Sequence, residues 1–560
     1  MMKRKIALAM AVCCIFSCFA SCGGETNDVQ TSEEGEQFEQ LLSQQEKRSL
    51  NADEHTVYEI NQDISGKEYV KLELKTNVQL VGQFVYENVK DPSEKAEEDF
   101  YIEASDGEKI VEFTQFLDKF RENGIGQFDK MLKEIRLTNK SGKTGEVTLC
   151  AFSVSDREIP AFEKEIYLQK DEMKLGADLA FGGTLTYLSR TSYGGESVDE
   201  VIDKNDNVYI GVNADENCKE ALSSEVNLVN IWDAGRQIQQ SYYADVGGGM
   251  GTPGKMEKTP KYGANGYERA WCFTGHDDGY WWPYNPVQAG DCADNPSQII
   301  DYQITDEDGD GVNDEIYVKV RAMDWGKGYM VKYHNAMGTI IGGSTTKSYM
   351  ENWYRIENGL IWVKNRFIDW NGFTDMHTVP VHNNELPATF VVHPFNNFVT
   401  YTGTGIWKND TANLVRKKDI GGITSGGGFT ATPTEGWYAW LNDEDFGFGM
   451  YIPNVDYLSS SRSGISTSVS LDINSSKRKP GPLVANNLFN KPAPNSDYTS
   501  CYAFNLSYTA PVTAWTMREY TAMTYEYAIS VDYLAVMREQ FKEIYESGTL
   551  TNESLSAWKL

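Results

Sequence analysis

Long apolar runs are rare in this chain of 560 residues. One lies near the start, at residues 6–19, and no later segment reaches the length and apolarity of a membrane-spanning helix. The basic residues Lys3, Arg4 and Lys5 precede the run, and small residues follow it. This pattern is typical of a cleaved secretory signal, which we place at residues 1–21. We therefore expect the mature chain to lie outside the cytoplasm.

Positive charge is also scarce. The chain has 51 Lys and Arg against 81 Asp and Glu, which gives a formal net charge of −30 at pH 7. Because such a charge repels polyanions, we expect no nucleic-acid partner, and sulfated glycans are poor candidates as ligands. We expect no organic cofactor.

Cysteines are few after the signal, and none shows the close CxxC spacing of a zinc site. Apart from Cys22, directly at the end of the signal, they are Cys150, Cys218, Cys272, Cys292 and Cys501. Cys272 and Cys292 bracket an aromatic stretch and can form a disulfide in an oxidising compartment. Two buried free thiols are an equally good interpretation.

Helical periodicity is limited to two segments. Residues 111–123 (VEFTQFLDKFREN) place their apolar side chains on one helical face, which predicts a short amphipathic helix. Residues 532–548 predict a second helix, with Asp532 as its N-terminal cap and Gly548 at its end. Nearly everything else consists of short alternating runs cut by Gly, Asn and Asp, which predicts an all-β protein.

The exit of the signal, FASCG, resembles the bacterial lipobox. By that resemblance Cys22 becomes the lipidated N-terminus; the alternative is an ordinary cleaved signal with an incidental cysteine. Residues 22–50 are polar and acidic, so we expect a flexible tether. Membrane contact is expected through the lipid anchor only.

Two β-domains are expected after the tether. Residues 51–172 loosely resemble the accessory jelly-roll β-sandwiches attached to carbohydrate-active enzymes. Residues 173–560 are richer in Trp, Tyr and Gly, and end in the predicted C-terminal helix.

Three segments of the second domain carry a further resemblance, namely EMKLGADLAFGGTLTYLS, SYMENWYRIENGLIWVKNRFIDW and GWYAWLNDEDFGFGMYIPN. They resemble the large two-sheet super-sandwich of the galactose-mutarotase-like superfamily. The chain is also similar to poorly characterised secreted bacterial proteins that share NxxNxxDxGRxIQQSYY, NPxQxGD and ELPA segments. The resemblance implies sugar chemistry or sugar binding. Because this superfamily contains epimerases, hydrolases, lyases and binding modules, the class of activity stays open.

Residues 274–291 (TGHDDGYWWPYNPVQAGD) combine aromatic rings with acids in a stretch that has the composition of a loop. Trp281 and Trp282 offer apolar faces to the C–H bonds of a pyranose, while Asn285, Gln288 and Asp291 can bind its hydroxyls. A glycan is held in water by this combination, since hydroxyls cannot be buried without partners. The alternative is that a tryptophan fills the core below a long connection.

Residues 230–243 (NIWDAGRQIQQSYY) form a second polar cluster. Asp233, Arg236, Gln240 and Tyr242 can make the bidentate hydrogen bonds that vicinal hydroxyls require. A structural ion pair between Asp233 and Arg236 is the alternative. Near residues 432–445, Glu435 and Trp437 can line the same cleft or belong to the core.

Residues 375–390 (DMHTVPVHNNELPATF) supply a candidate catalytic acid, Glu385, and a candidate substrate-binding histidine, His377. Glycoside hydrolysis commonly needs two carboxyl groups, one on each side of the scissile bond. We pair Glu385 with Asp233 or Asp291. A lone histidine is more often a structural hydrogen-bonding residue.

Residues 303–320 (QITDEDGDGVNDEIYVKV) contain the most specific signal, the D-x-D-x-D-G-x-x-D spacing of calcium loops. Carboxylates at alternate positions wrap one hard cation, and Gly311 permits the sharp bend. Position 12 holds Tyr317 and not the Glu of an EF-hand, so we expect a shorter loop between two strands with a structural Ca²⁺. The predicted ligands are Asp306, Asp308, Asp310 and Asp314. An acidic hairpin tip without an ion is the alternative.

These features favour an extracytoplasmic, lipid-anchored carbohydrate-active enzyme, a glycoside hydrolase that acts on a polysaccharide or oligosaccharide. One alternative is a surface lipoprotein that binds glycans without cleaving them. A polysaccharide lyase is another, in which His377 or Tyr242 is the base and Arg236 neutralises the uronate.

Overall fold

The regular secondary structure in the described part of the computed structural model is nearly all β, and the predicted all-β class is confirmed. The structure describes residues 38–117, 129–157, 165–190, 201–202, 208–209, 227–229, 237–242, 286–290, 296–324, 345–369, 382–392, 395, 397–408, 411–418, 429–464, 505–515 and 522–557. Residues Glu39–Leu560 belong to one compact unit.

Nine antiparallel strands form an N-terminal β-sandwich. They are β1 (Glu39–Leu42), β2 (Arg48–Leu50), β3 (His55–Asp63), β4 (Tyr69–Thr76), β5 (Leu80–Asn88), β6 (Lys95–Ile102), β7 (Val111–Phe116), β8 (Lys130–Asn139) and β9 (Gly145–Ser155). One sheet has the order β1-β9-β4-β7 with β2 also on β9, and the other has the order β3-β8-β5-β6. Alternate side chains of each strand meet between the sheets, where the rings of Phe84 and Phe100 stack at 4.4 Å.

Two sequence predictions fail in this sandwich. The helix predicted for residues 111–123 is wrong over Val111–Phe116, which is strand β7 along the edge of β4. Its apolar spacing also satisfies a strand, and pairing with β4 decides between the two periods. The tether predicted for residues 22–50 does not hold for its last part, because Glu39–Leu42 and Arg48–Leu50 both pair with β9.

The described part of the remaining chain contains twenty further strands. The first five are β10 (Glu165–Lys170), β11 (Met173–Asp178), β12 (Thr184–Arg190), β13 (Val201–Ile202) and β14 (Val208–Tyr209). The next eight are β15 (Gln239–Ser241), β16 (Pro286–Val287), β17 (Gln298–Thr305), β18 (Glu315–Asp324), β19 (Thr345–Glu357), β20 (Leu360–Asp369), β21 (His382–Val392) and β22 (Asn397–Tyr401). The last seven are β23 (Leu414–Lys418), β24 (Phe429–Ala431), β25 (Trp437–Leu441), β26 (Phe446–Tyr451), β27 (Tyr457–Gly464), β28 (Asn505–Trp515) and β29 (Met523–Tyr533). Short 3₁₀ helices lie at Leu179–Phe181 and Glu553–Ala557.

Fifteen of these strands form one continuous antiparallel ladder. Its order is β23-β22-β25-β26-β29-β20-β19-β18-β16-β15-β21-β28-β27-β24, with β17 also on β18. The ladder folds back on itself, since side chains from its two halves bond to each other. Tyr438 on β25 donates to Thr389 on β21 at 3.0 Å, and Trp440 on β25 donates to Thr509 on β28 at 2.8 Å. The result is a two-layer sandwich whose core lies between the halves.

The C-terminal helix α1 (Leu534–Ser547) covers the outer face of one layer. Its apolar stripe of Leu534, Met537, Phe541 and Ile544 packs against β25, β26 and β29. The prediction of this helix is confirmed, including the left-handed Gly548 that ends it with φ 66°. Its start differs, because Tyr533 occupies the cap position while Asp532 forms an ion pair with Arg190. Within the described ranges, no helix has the length and apolarity needed to cross a membrane.

Buried charges join the N-terminal sandwich to the two-layer sandwich. Asp301 on β17 is 1% exposed and accepts hydrogen bonds from the hydroxyls of Tyr69, at 2.7 Å, and Thr114. Burial raises the pKa of Asp301 despite these donors. The guanidinium of Arg157 lies over the rings of Tyr69 and Tyr302 at 4.6 and 4.7 Å. These contacts hold the two sandwiches together.

Candidate functional site

Gln240 and Tyr242, two predicted substrate-binding residues, lie between the two layers. Both are 0% exposed. The Gln240 amide nitrogen donates to the Glu351 carbonyl at 2.9 Å and to Asn352 Oδ1 at 2.7 Å, and its oxygen accepts from the Tyr242 hydroxyl at 2.7 Å. Burial raises the pKa of Tyr242 well above its ordinary value. These bonds account for both side chains as polar parts of the core.

Gln288, a third predicted substrate-binding residue, belongs to the same buried network. Its side-chain oxygen accepts from the Gln240 backbone N–H at 3.2 Å, and its nitrogen donates to the Gly182 carbonyl at 3.0 Å. Gly182 has φ 60°, and a Cβ there would lie 2.0 Å from the Gln288 carbonyl oxygen. Only glycine permits this approach. The three residues come together, as predicted, but inside the protein and not in a groove.

The candidate catalytic acid Glu385 lies on β21, which pairs with β15, and on the face of the sheet opposite to that of Gln240. It is 7% exposed, sits opposite Ser241 on β15 and Val512 on β28, and immediately precedes the bulge at which the register of β21 shifts. Directly opposite residues share a face, and neighbouring residues alternate. Glu385 therefore shares the face of Ser241, whereas Gln240 and Tyr242 point the opposite way.

The strand directions also show where segments with other predicted residues join the sheet. β16 and β21 are both antiparallel to β15, so both begin at the same end of it, beside Tyr242 and Glu385. The chain segments that lead into them contain the residues 281–285 and 377. Asp233 comes before β15 and Asp291 after β16, so their segments join at the opposite end.

Most of the remaining predicted residues lie outside the described part of the chain, and their roles stay predictions. They are Asp233, Arg236, Trp281, Trp282, Asn285, Asp291 and His377, together with the lipidation residue Cys22. The predicted pair Cys272 and Cys292 also lies outside the described residues.

Glu435 and Trp437 belong to the core and not to a cleft. The Glu435 side chain is 0% exposed, and Trp437 is 1% exposed. The Glu435 carboxylate accepts from the Trp437 ring N–H at 2.7 Å and from the Trp407 backbone N–H at 2.6 Å. It also accepts two bonds from Arg538 on α1, at 2.9 and 2.6 Å. This bidentate ion pair fastens the C-terminal helix to the sheet.

The predicted calcium loop connects β17 to β18 and forms the tip of a hairpin, as expected for a loop between two strands. Oxygens of Asp306, Asp308 and Asp314 lie within 4.8 Å of one another, an all-oxygen set that fits a hard cation. Gly311 takes φ 85° at the sharp bend. The fourth predicted ligand, Asp310, does not belong to this group, and its carboxylate accepts a bond from the Val312 backbone N–H at 2.7 Å.

One cation of the protein itself already contacts the loop. The Lys170 ammonium lies 3.1 Å from Asp314 Oδ1. The pKa of Asp314 is lowered by the Glu307 backbone N–H, which donates to it at 2.8 Å, and further by Lys170. Asp314 is therefore ionised and suited to bind a cation at neutral pH.

Sequence reasoning missed a pocket of about 550 Å³ on the N-terminal sandwich. Its floor is the outward face of β4 and β9, where Lys75, Thr148 and Cys150 alternate with core residues. No motif marks it, because its walls come from residues 44–47 and 107–108, which lie far apart in the sequence. The alternation of the strands was the one available signal.

No protein-family model and no curated protein matches the chain. Among solved structures, it is similar to a putative aldose 1-epimerase from Escherichia coli K12, with 8% identity, 66% of this chain and 99% of that chain covered, and a TM-score of 0.29. A galactose mutarotase-like protein from Lactobacillus casei ATCC 334 is 8% identical, with 66% of this chain and 99% of that chain covered and a TM-score of 0.26. A family 29 carbohydrate-binding module complexed with cellohexaose is 13% identical, with 21% of this chain and 80% of that chain covered and a TM-score of 0.15. Such scores carry no argument about this chain, and membership of the galactose-mutarotase-like superfamily stays a prediction.

Proposed function

We propose that the protein is an extracytoplasmic carbohydrate-active protein, anchored through Cys22, that binds a polysaccharide or oligosaccharide and hydrolyses it with Glu385 as one catalytic carboxyl group. The observation that supports this proposal best is the common end of β16 and β21. There the segment that contains Trp281 and Trp282 and the segment that contains His377 both join the sheet next to Glu385. Aromatic faces bind the C–H surface of a sugar ring, and carboxyl groups carry out the hydrolysis of a glycosidic bond.

The chemistry assigned to Glu385 is proton transfer to or from the glycosidic oxygen or the attacking water. A carboxyl group held between two strands needs little reorganisation when the substrate binds, and general acid–base catalysis contributes about 10²–10⁴-fold to a rate. The second carboxyl group comes from Asp233 or Asp291 in this proposal.

The test is the release of reducing sugar from a panel of neutral polysaccharides by wild type and by Glu385→Gln. We expect the release to fall at least 100-fold in the variant, with an unchanged urea unfolding midpoint. Glu357→Gln is the matched control, because Glu357 is an exposed acid on β19. Undiminished turnover in Glu385→Gln would refute the catalytic role of Glu385. If the protein neither bound nor cleaved any glycan of the panel, the whole proposal would be refuted.

The strand directions also favour a second candidate, glycan capture without cleavage. The segments of Asp233 and Asp291 join the sheet at the end away from Glu385, so the two acids that would complete a catalytic pair are not attached beside it. Affinity electrophoresis separates the candidates. Retardation by a glycan that is never cleaved, abolished in Trp282→Ala and preserved in Glu385→Gln, would favour capture.

A further inference from the structure

The pocket on the N-terminal sandwich is a half-open groove, about 550 Å³ in volume. One wall is the connection between β1 and β2, held by the Gln45 backbone N–H, which donates to the Leu149 carbonyl at 2.8 Å. The other wall is the connection between β6 and β7, held by the Ser105 hydroxyl, which donates to the Thr76 carbonyl at 2.8 Å. Walls fixed in this way lose little freedom when a ligand binds.

The pocket presents hydrogen-bonding groups of both kinds. The amides of Gln44 and Gln45 and the hydroxyl of Thr148 each donate and accept. Charges of both signs line it as well: Lys47, Lys75, Glu46, Glu108 and Glu146. Lys47 and Glu146 are already paired at 2.5 Å, which leaves little net charge to attract an ion of either sign.

This lining selects a chemical class of ligand. The volume of the pocket lies within the range of about 300–1,000 Å³ that small-molecule sites occupy. Because polar side chains predominate and the charges nearly balance, an apolar ligand or a polyanion gains little there. Adjacent donors and acceptors match the vicinal hydroxyls of a neutral sugar.

We propose that this pocket is a second carbohydrate site, which binds a short neutral saccharide or the end of a neutral glycan chain. The proposal rests on the proposed carbohydrate function but not on the site at Glu385. With a ligand held at each place, the N-terminal sandwich would keep a glycan near the two-layer sandwich by raising its effective concentration.

Cys150, on the pocket floor, reports occupancy directly. It is a half-buried free thiol, and burial raises its pKa, so it reacts slowly enough for rates to be compared. The full chain is treated with N-ethylmaleimide, with and without neutral oligosaccharides built from glucose, xylose, mannose or galactose. Modification of the Cys150 peptide is followed by mass spectrometry. We expect at least one oligosaccharide to slow it several-fold.

Variants establish where the protection arises. Lys75→Ala and Gln44→Ala are expected to abolish it without lowering the unfolding midpoint, whereas Lys109→Ala, outside the lining, is expected to preserve it. Glu385→Gln and Trp282→Ala are expected to leave it intact. Protection by phosphate or by free amino acids but by no sugar would overturn the ligand class. Glycan binding that needs Trp282 but never protects Cys150 would overturn this site alone, and the proposed function would stand.

Discussion

Loss of Arg538 should destabilise the protein far more than loss of an exposed arginine, because Arg538 pairs with a carboxylate that has no access to water. The Glu435 side chain is 0% exposed and receives two of its four bonds from Arg538. Removing one partner of a buried ion pair leaves the other charge uncompensated and costs about 3–5 kcal/mol. We expect Arg538→Ala to lower the free energy of unfolding by that amount, as measured by urea denaturation followed by tryptophan fluorescence.

The matched control is the ion pair between Arg416 and Asp445, which is bidentate at 2.6 and 2.9 Å but 45% exposed on each side. Solvent screens such a pair, so Arg416→Ala should cost about 0–1 kcal/mol. A double-mutant cycle with Glu435→Ala and Arg538→Ala should show strong coupling, because once one charge is gone the other adds little. Equal losses in Arg538→Ala and Arg416→Ala, or additive losses within the buried pair, would refute the reasoning.

Three further predictions concern other parts of the molecule. Calcium at 100 times its Kd should raise the free energy of unfolding by about 2.7 kcal/mol relative to the protein in chelator. Asp308→Ala should abolish this rise. If the variant still differed in stability between calcium and chelator, the metal site would be refuted. The raised folded-state pKa of Asp301 means that its stabilising contribution is full below about pH 3.9 and is lost as the pH rises through the raised value. The stability of Asp301→Asn minus that of wild type should therefore increase with pH in urea titrations from acidic to neutral pH, and a flat difference would contradict the assignment. Gly82→Ala would place a carbon 2.0 Å from the Phe100 ring and should cost about 1–3 kcal/mol or more, whereas Gly405→Ala, whose nearest contact is 3.5 Å, should be nearly neutral in thermal unfolding.

Local features of the fold could be predicted from the sequence because their determinants are local. The helix Leu534–Ser547 has fourteen residues of consistent period and a glycine at its end. The acidic hairpin tip is encoded by the spacing of a few neighbouring aspartates. The helix prediction for Val111–Phe116 failed because six residues are too few to separate a period of 3.6 from a period of 2. Pairing with β4 then makes this segment a strand.

The candidate site depends on information that the sequence does not contain. Gln240 and Ser241 are neighbours, yet they face opposite sides of the sheet, and an offset of one residue exchanges their roles. Both side chains are polar and both are buried, at 0% and 4% exposure. The polarity of the two residues therefore does not reveal which face of the strand lies between the layers. Glu435 and Arg538 are 103 positions apart, and nothing local indicates that they pair.

The charged junction at Asp301 bears on how the chain can be divided experimentally. A fragment that begins after the first nine strands would retain Asp301 but lose the hydroxyl groups of Tyr69 and Thr114 that satisfy it. It would also expose Lys319, a lysine that is 5% exposed beneath Phe113 in the intact protein. We therefore expect the large sandwich to be poorly soluble when expressed by itself, and the two sandwiches to melt in a single transition.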